Sequence, residues 1–372
     1  MTASPTVARK GSQDGVRMLV VFAAVVISMI GLYLVGSIIA PVFLAITLVI
    51  TARPLVRLLN DRGVPRVLST FAGMVAVFAV LLAIVFAIFF AVNQFVHELP
   101  KFAGQAQALI QQIEDWLLSI GVSEQSVNSA LGSVDVGRVV GAVGGFLNQI
   151  SGVGIFIGTL FLFVAFVAID MIDTSKAGAK LKADRPGLYD GLIDFSWRVR
   201  QYWIVNTIFA AAVAIIDVGI LFWLQIPLAL TWGILSFVTS YIPNIGFIIG
   251  MIPPAIMALL ARDWQTMVLL LIAYTVVNFA SDMLIQPKVT GDAVGLNITT
   301  TFVSLLFWTL LLGPMGAVLA VPLTLFFKCT LLDPYPGTQW MSAFLGGLED
   351  DPPPAEPDET VPTAEDNPQP SV

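Results

Sequence analysis

The sequence predicts an all-α polytopic membrane protein: about six full transmembrane helices plus two Pro/Gly-broken helical hairpins in an inverted repeat. Three observations predict it. Of 372 residues, 57% are hydrophobic and only 12% charged, with a mean hydropathy of +0.88, whereas soluble domains carry about 25% charged residues. Apolar runs recur at lengths suited to a hydrocarbon core of about 30 Å. Two further runs are equally apolar but are cut near their centres by Pro and Gly.

In chain order, spans are expected at about 18–36, 38–52, 67–95, 153–172, 203–224 and 264–285. Arg9, Lys10 and Arg17 precede the first run, as in a signal peptide. The run exceeds a signal h-region, no clear A-x-A site follows, and a second apolar run begins at once, so it reads as a transmembrane helix. The broken stretches are 228–260, interrupted at Pro243-Asn244-Ile245-Gly246, and 298–328, interrupted at Gly313-Pro314-Met315-Gly316. Each arm of the first would rise only about 20 Å at 1.5 Å per residue. Broken helices are tolerated at membrane depth only where freed backbone groups are buried in protein or line a wet cavity. The pattern therefore points to a pathway through the membrane.

Orientation follows from the basic loops. The N-terminus, the loop carrying Arg53, Arg57, Arg62 and Arg66, and the loop from Lys176 to Arg200 are Lys/Arg-rich, which places them and both termini in the cytoplasm. Segment 97–152 holds only Lys101 and Arg138 against five acidic residues, which suits the outer face. Within it Phe102, Ala106, Ile110, Ile113 and Leu117 recur at helical spacing, predicting an amphipathic helix on the bilayer or against a neighbouring subunit, or a plain packing helix. From Glu349 onward there are eight acidic residues and no Lys or Arg, so without this tail the formal charge of −7 becomes +1. The Pro-rich tail is expected to be disordered. The organisation expected is a cytoplasmic N-terminus (1–17), scaffold helices (18–96), an extracytoplasmic segment (97–152), a fourth span with a cytoplasmic linker (153–202), a transport region (203–330) and a cytoplasmic tail (331–372).

Polar residues inside apolar helices mark the candidate site. Asp217 lies among apolar neighbours without an evident partner, and suits a structural hydrogen bond as well as a transport role. A carboxylate at mid-bilayer costs on the order of 2.5–3.5 kcal/mol on insertion scales, so it is paired or wet. Asp282 is four residues after Asn278 and four before Gln286, which makes a polar stripe on one helix face; an interfacial or Lys288-paired carboxylate is the plainer alternative. Asn206 adds an amide to the fifth span. Thr239, Ser240, Tyr241 and Asn244 place donors and acceptors beside the helix termini exposed at Pro243 and Gly246, where partial charges hold polar solutes. Ordinary helix-packing polar residues would look the same. Gly313, Pro314 and Gly316 occupy the corresponding positions of the second break.

Several chemistries lack their residues. His97 is the only histidine, so no His-rich metal site or H-E-x-x-H can form, and no Walker A sequence is present. The 291–297 loop GDAVGLN lacks phosphate-loop spacing. No enzyme, cofactor, metal or nucleic-acid partner is expected. Cys329, the single cysteine, excludes an internal disulfide and reads as a small buried hydrophobe.

Three motifs occur in order: PVFLAITLVITARPLVRLLNDRGVPR (41–66), SYIPNIGFIIGMIPPAI (240–256) and NFASDMLIQPKVTGDAVGLNITTTFVSLLFWTLLLGPMGAVLAVPL (278–323). Together they resemble the autoinducer-2 exporter family of PerM-like permeases over residues 15–330. The resemblance implies an α-helical multi-pass transporter of the bacterial inner membrane that exports small polar solutes, the quorum-sensing signal autoinducer-2 among them. Some relatives are assigned sodium or lithium/proton exchange, and homo-oligomers, pentamers in particular, are implied. Asn244 and the NITTT run depart from the family pattern and leave the solute open. Three readings follow: solute export, downhill or with protons; sodium(lithium)/proton antiport using Asp217 and Asp282; and a non-transporting membrane scaffold.

Overall fold

The computed structural model describes residues 6–123, 125–126, 150–170, 175–243, 245–281 and 296–345. They form α1 (Thr6–Asp61), α2 (Arg66–Glu98), a 3-10 turn (Leu99–Phe102), α3 (Ala103–Ser119), α4 (Ile150–Asp170), α5 (Ser175–Asp184) and α6 (Pro186–Trp223). There follow α7 (Ala229–Thr239), α8 (Gly246–Ala261), α9 (Trp264–Phe279), α10 (Ile298–Leu312), α11 (Pro314–Phe327), a π-helical turn (Lys328–Leu332) and α12 (Gln339–Leu345). This is an all-α polytopic membrane fold, with no strand among the described residues. Helices long and apolar enough to cross a membrane include Leu19–Asp61, Pro186–Trp223 and Pro314–Leu332.

The first two expected spans, 18–36 and 38–52, are one uninterrupted helix, α1. A lone Gly such as Gly36, where the two runs meet, costs a helix only about 1 kcal/mol. Its role is close approach: a Cβ there would lie 3.0 Å from Leu312 Cδ2 and 3.1 Å from the Leu311 carbonyl oxygen. Pro41, inside the helix, removes one N–H and is tolerated in a membrane helix. The first two basic clusters therefore stand at opposite ends of α1.

Both broken stretches are helical hairpins. The arms α7 and α8 have 11 and 16 residues, and α10 and α11 have 15 and 14, all short of a 30 Å core at 1.5 Å per residue. The break between α10 and α11 is one residue wide. Gly313, at φ 66 and ψ −151, turns the chain, and Pro314 opens α11 at a first-turn position where its missing N–H is harmless. The first break covers residues 240–245.

Two apolar clusters organise the packing. One joins Ala40 to Ile50 of α1, Leu160 and Val164 of α4, Phe195 to Trp203 of α6 and most of the second hairpin, with Tyr241, Ile242 and Ile245 against it. The other joins Leu221, Trp232, Met257, Ala258, Leu270 and Tyr274, with Phe95 and Phe102 against it. The hairpins thus attach by their open ends to opposite ends of α6. Arg262, after α8, donates to Gln225, after α6. The thiol of Cys329, after α11, donates to Asp194 near the start of α6 at 3.4 Å.

Caps place the neighbouring helices. Asp263 accepts the Thr266 N–H at 2.7 Å and starts α9, and that bond holds its carboxyl below the usual carboxylate range. Asn297 accepts the Thr300 N–H at 2.7 Å and starts α10, while its amide reaches the Phe344 carbonyl of α12. The NITTT departure therefore begins with a cap. Helix α3 matches the expected amphipathic stretch, with Phe102 on the second cluster and Trp116 exposed. Residues 127–149 of that segment and the acidic tail lie outside the described residues.

Candidate pathway site

The site is built where α6, the first hairpin and α9 meet. Asn206 and Asp217 share one face of α6, three turns apart. Asp217 is fully buried, and its Oδ2 accepts a 2.6 Å hydrogen bond from Ser236 on α7. The carboxylate that lacked an evident partner has one on the facing helix. Its other oxygen, Oδ1, has no partner among the described residues, nor do the buried Nδ2 of Asn206, the hydroxyl of Tyr274 and the Oγ of Ser281. Tyr274 lies on α9 within Coulomb range of Asp217. Asn278, one turn further on, is buried and donates to the Tyr274 carbonyl at 2.9 Å.

Close approach of α7 to both neighbours depends on missing side chains. A Cβ on Gly233 would overlap Val218 of α6, and one on Gly246 would overlap the Thr239 carbonyl oxygen. Gly250 packs on Ser236, so the donor to Asp217 sits where the two arms of the hairpin meet closely. Without a hydrophobic driving force between helices in lipid, small residues and interhelical hydrogen bonds hold such contacts.

At the break, Thr239 and Ser240 both donate to the Ser236 carbonyl, at 3.2 and 2.7 Å. Their protons cap the end of α7 and are not available to a solute, although their lone pairs remain acceptors. The amide of Gly246 returns to the Ile242 carbonyl at 3.0 Å, and Ile245 N–H bonds the Pro243 carbonyl at 2.7 Å, so the break is a hydrogen-bonded turn. The Tyr241 hydroxyl meets Thr207 of α6 at 2.9 Å. Asn244, Asp282 and Gln286 lie outside the described residues.

In the second hairpin, Gly316 packs on the Trp308 carbonyl, where a Cβ would overlap the oxygen. Ser304 donates to the Ala320 carbonyl at 2.9 Å and pairs with Thr324, which also accepts Trp308 Nε1 at 3.0 Å. Gly313, Pro314 and Gly316 are thus a tight turn on the first cluster, distant in kind from the polar first break.

Sequence reasoning did not single out Ser236, Thr207 or Tyr274. Ser236 is 19 residues from Asp217 and Thr207 is 34 from Tyr241, separations that no periodicity links. It also missed the group at the start of α6. Asp194, Cys329 and Asp333 present ligand atoms within 4.8 Å of one another. Arg198 pairs with Asp194 at 2.8 Å and Lys328 with Asp333 at 3.2 Å, which makes the group an ion-pair clasp between α6 and the turn after α11. Cys329 is buried as expected, and is a hydrogen-bond donor as well.

Half-length helical hairpins attached at opposite ends of a long helix that carries a buried carboxylate define the class: a multi-pass membrane protein of transporter architecture. The model of the AI-2E family transporters matches residues 22–333, and the chain belongs to that family. It is 25% identical over 338 residues to the AI-2 transport protein TqsA of Escherichia coli K12, covering 90% of this chain and 97% of that one. It is 27% identical to YhhT of Escherichia coli, over 90% of this chain and 93% of the relative. With MT0215 of Mycobacterium tuberculosis it shares 28% identity, over 86% of this chain and 89% of the relative. For the last two, transport is a provisional description.

Proposed function

We propose that the protein exports a small polar solute, autoinducer-2 or a compound like it, across the bacterial inner membrane by alternating access. Similarity to TqsA, an AI-2 transport protein, suggests the solute. The observation that carries the mechanism is the way the first hairpin is held. Its polar side-chain ties to α6 include Ser236 to Asp217 and Tyr241 to Thr207, and both can be exchanged for solute or water. The hairpins are an inverted pair in this reading, supported by their attachment to opposite ends of α6. Helices α1, α2 and α4 are the scaffold, and homo-oligomeric assembly accompanies it. The turn at 62–65 and residues 331–372 face the cytoplasm in this reading, in keeping with the basic clusters from the end of α1 onward.

The test is efflux from proteoliposomes loaded with autoinducer-2, read by a reporter strain. Protein-dependent efflux is expected, and its absence at every pH and salt gradient would refute the reading. Asp282 remains a candidate coupling group, and Asp282→Asn is expected to remove pH dependence while leaving folded protein. Loss of residues 349–372 is expected to leave export intact; abolition would favour the scaffold reading.

Sodium(lithium)/proton antiport is the second reading, favoured by one observation. The unpartnered Oδ1 of buried Asp217 is a site where a cation would relieve an uncompensated charge. Addition of sodium or lithium to purified protein would then release protons, and Asp217→Asn would abolish the release.

A further inference from the structure

Two open-sided cavities lie along the cleft between α2 and α6, the boundary between the scaffold and the first hairpin. One, of about 640 Å³, is bounded by α2, α6 and α7; the other, of about 530 Å³, is bounded by α1, α2, α6 and Val318 of α11. They share a wall made by Val80, Ile84, Thr207, Val238 and Tyr241. Thr207 and Tyr241 are its only polar members, and they are hydrogen-bonded to each other across it.

The direction of that bond follows from the proton inventory. Thr207 has one hydroxyl proton and donates it to the Trp203 carbonyl at 2.7 Å, so Tyr241 is the donor to Thr207. The tyrosine ring is steadied by Trp203 at 6.0 Å and by Phe237 edge-on at 5.5 Å. Tyr241 also stands two residues before Pro243, at the start of the break. Any displacement of the hairpin tip therefore moves the ring that divides the cavities.

We propose that the Tyr241–Thr207 hydrogen bond is the latch of a gate, and that the two cavities, joined when it opens, are the route of a neutral hydroxylated solute. The route deepens the transport reading given above and rests on it. Its solute class follows from the walls. Among the described residues no charged side chain lines either cavity, so an ion would lose hydration without compensation. A hydroxyl of a neutral solute can replace the one hydrogen bond that the latch gives up.

The experiment measures leak of erythritol, a neutral polyol, and of erythronate, its anionic counterpart, from proteoliposomes of the full chain. Parent, Tyr241→Phe, Thr207→Val and the double variant are compared at equal protein content and equal melting temperature. Tyr241→Phe is expected to raise erythritol leak about three- to tenfold, the ratio set by loss of one net hydrogen bond, with erythronate unchanged. Thr207→Val should match it, and the double variant should exceed neither, because both remove the same bond. Additive effects, equal rises for both probes, or no rise in any variant would overturn the gate; the last would mark the cleft as a lipid-filled groove. Failure here with intact autoinducer-2 efflux in the parent removes the gate and leaves the function. A leak in the variants without efflux in the parent does the reverse.

Discussion

The two hairpins are built on one plan and held in opposite ways. In each, a glycine of the second arm lies against a carbonyl of the first: Gly246 on Thr239, and Gly316 on Trp308. In each, a serine of the first arm sits beside a small residue four positions further along the second: Ser236 beside Gly250, and Ser304 beside Ala320. The partners differ. Ser304 bonds within its own hairpin, to the Ala320 carbonyl and Thr324, and eight residues of α11 are buried. Ser236 bonds outward to a carboxylate on α6, and the first break is a six-residue turn, not a single glycine. The second hairpin thus closes its polar bonds on itself within the first apolar cluster, and the first is tied to α6 by side-chain hydrogen bonds.

The largest effects should come from the glycine pair. Gly316→Ala forces a Cβ onto a backbone carbonyl with one turn residue to absorb it. Overpacking of this kind costs about 3 kcal/mol, and a clear fall in melting temperature in detergent is expected. Gly246→Ala makes the same overlap, but the six-residue break can yield, so a smaller fall in melting temperature with a larger loss of efflux should result. Equal falls in both would erase the distinction between the hairpins.

The serine pair comes next. Ser236→Ala leaves both oxygens of buried Asp217 without a partner, which costs about 1–3 kcal/mol. Ser304→Ala removes two ordinary interhelical-type bonds, to the Ala320 carbonyl and to Thr324, each worth about 0.6 kcal/mol in membrane proteins, and leaves no carboxylate unpaired. Thermal melts should rank them in that order, and Asp217→Asn should couple to Ser236→Ala but not to Ser304→Ala in a double-mutant cycle.

Much of this contrast was legible in the sequence. The hairpins were, because Pro243, Gly246, Gly313 and Pro314 interrupt apolar runs whose arms are too short to span. The buried carboxylate was, because Asp217 stands alone in an apolar helix. The partners were not: Ser236, Thr207 and Tyr274 are common packing residues until the fold brings them to Asp217 and Tyr241. The division of α1 into two spans failed because Gly36 signals close packing as readily as a turn. The clasp of Cys329 on Asp194 was hidden because 135 residues separate the two.

The smallest effect is expected at Asp263, which caps α9 next to the open end of the first hairpin. Its carboxyl is held below the ordinary value by the Thr266 N–H. The cap's contribution is therefore present above the unfolded-state value, and fades as pH falls through the folded one. Asp263→Ala should lower the melting temperature slightly at pH 7, with the difference from the parent vanishing in acid. A difference that persists there would mean the cap is not electrostatic.

The claim that the first hairpin moves against α6 is tested most directly by fastening it there. A Cβ at Gly233 would stand 3.6 Å from the Val218 Cβ, within the range of a disulfide. Oxidised Val218→Cys/Gly233→Cys protein should be folded and show no autoinducer-2 efflux from proteoliposomes, with efflux restored by reductant and the Val218→Cys single variant active under both conditions. Efflux by the cross-linked protein at the rate of its reduced form would contradict a hairpin that swings.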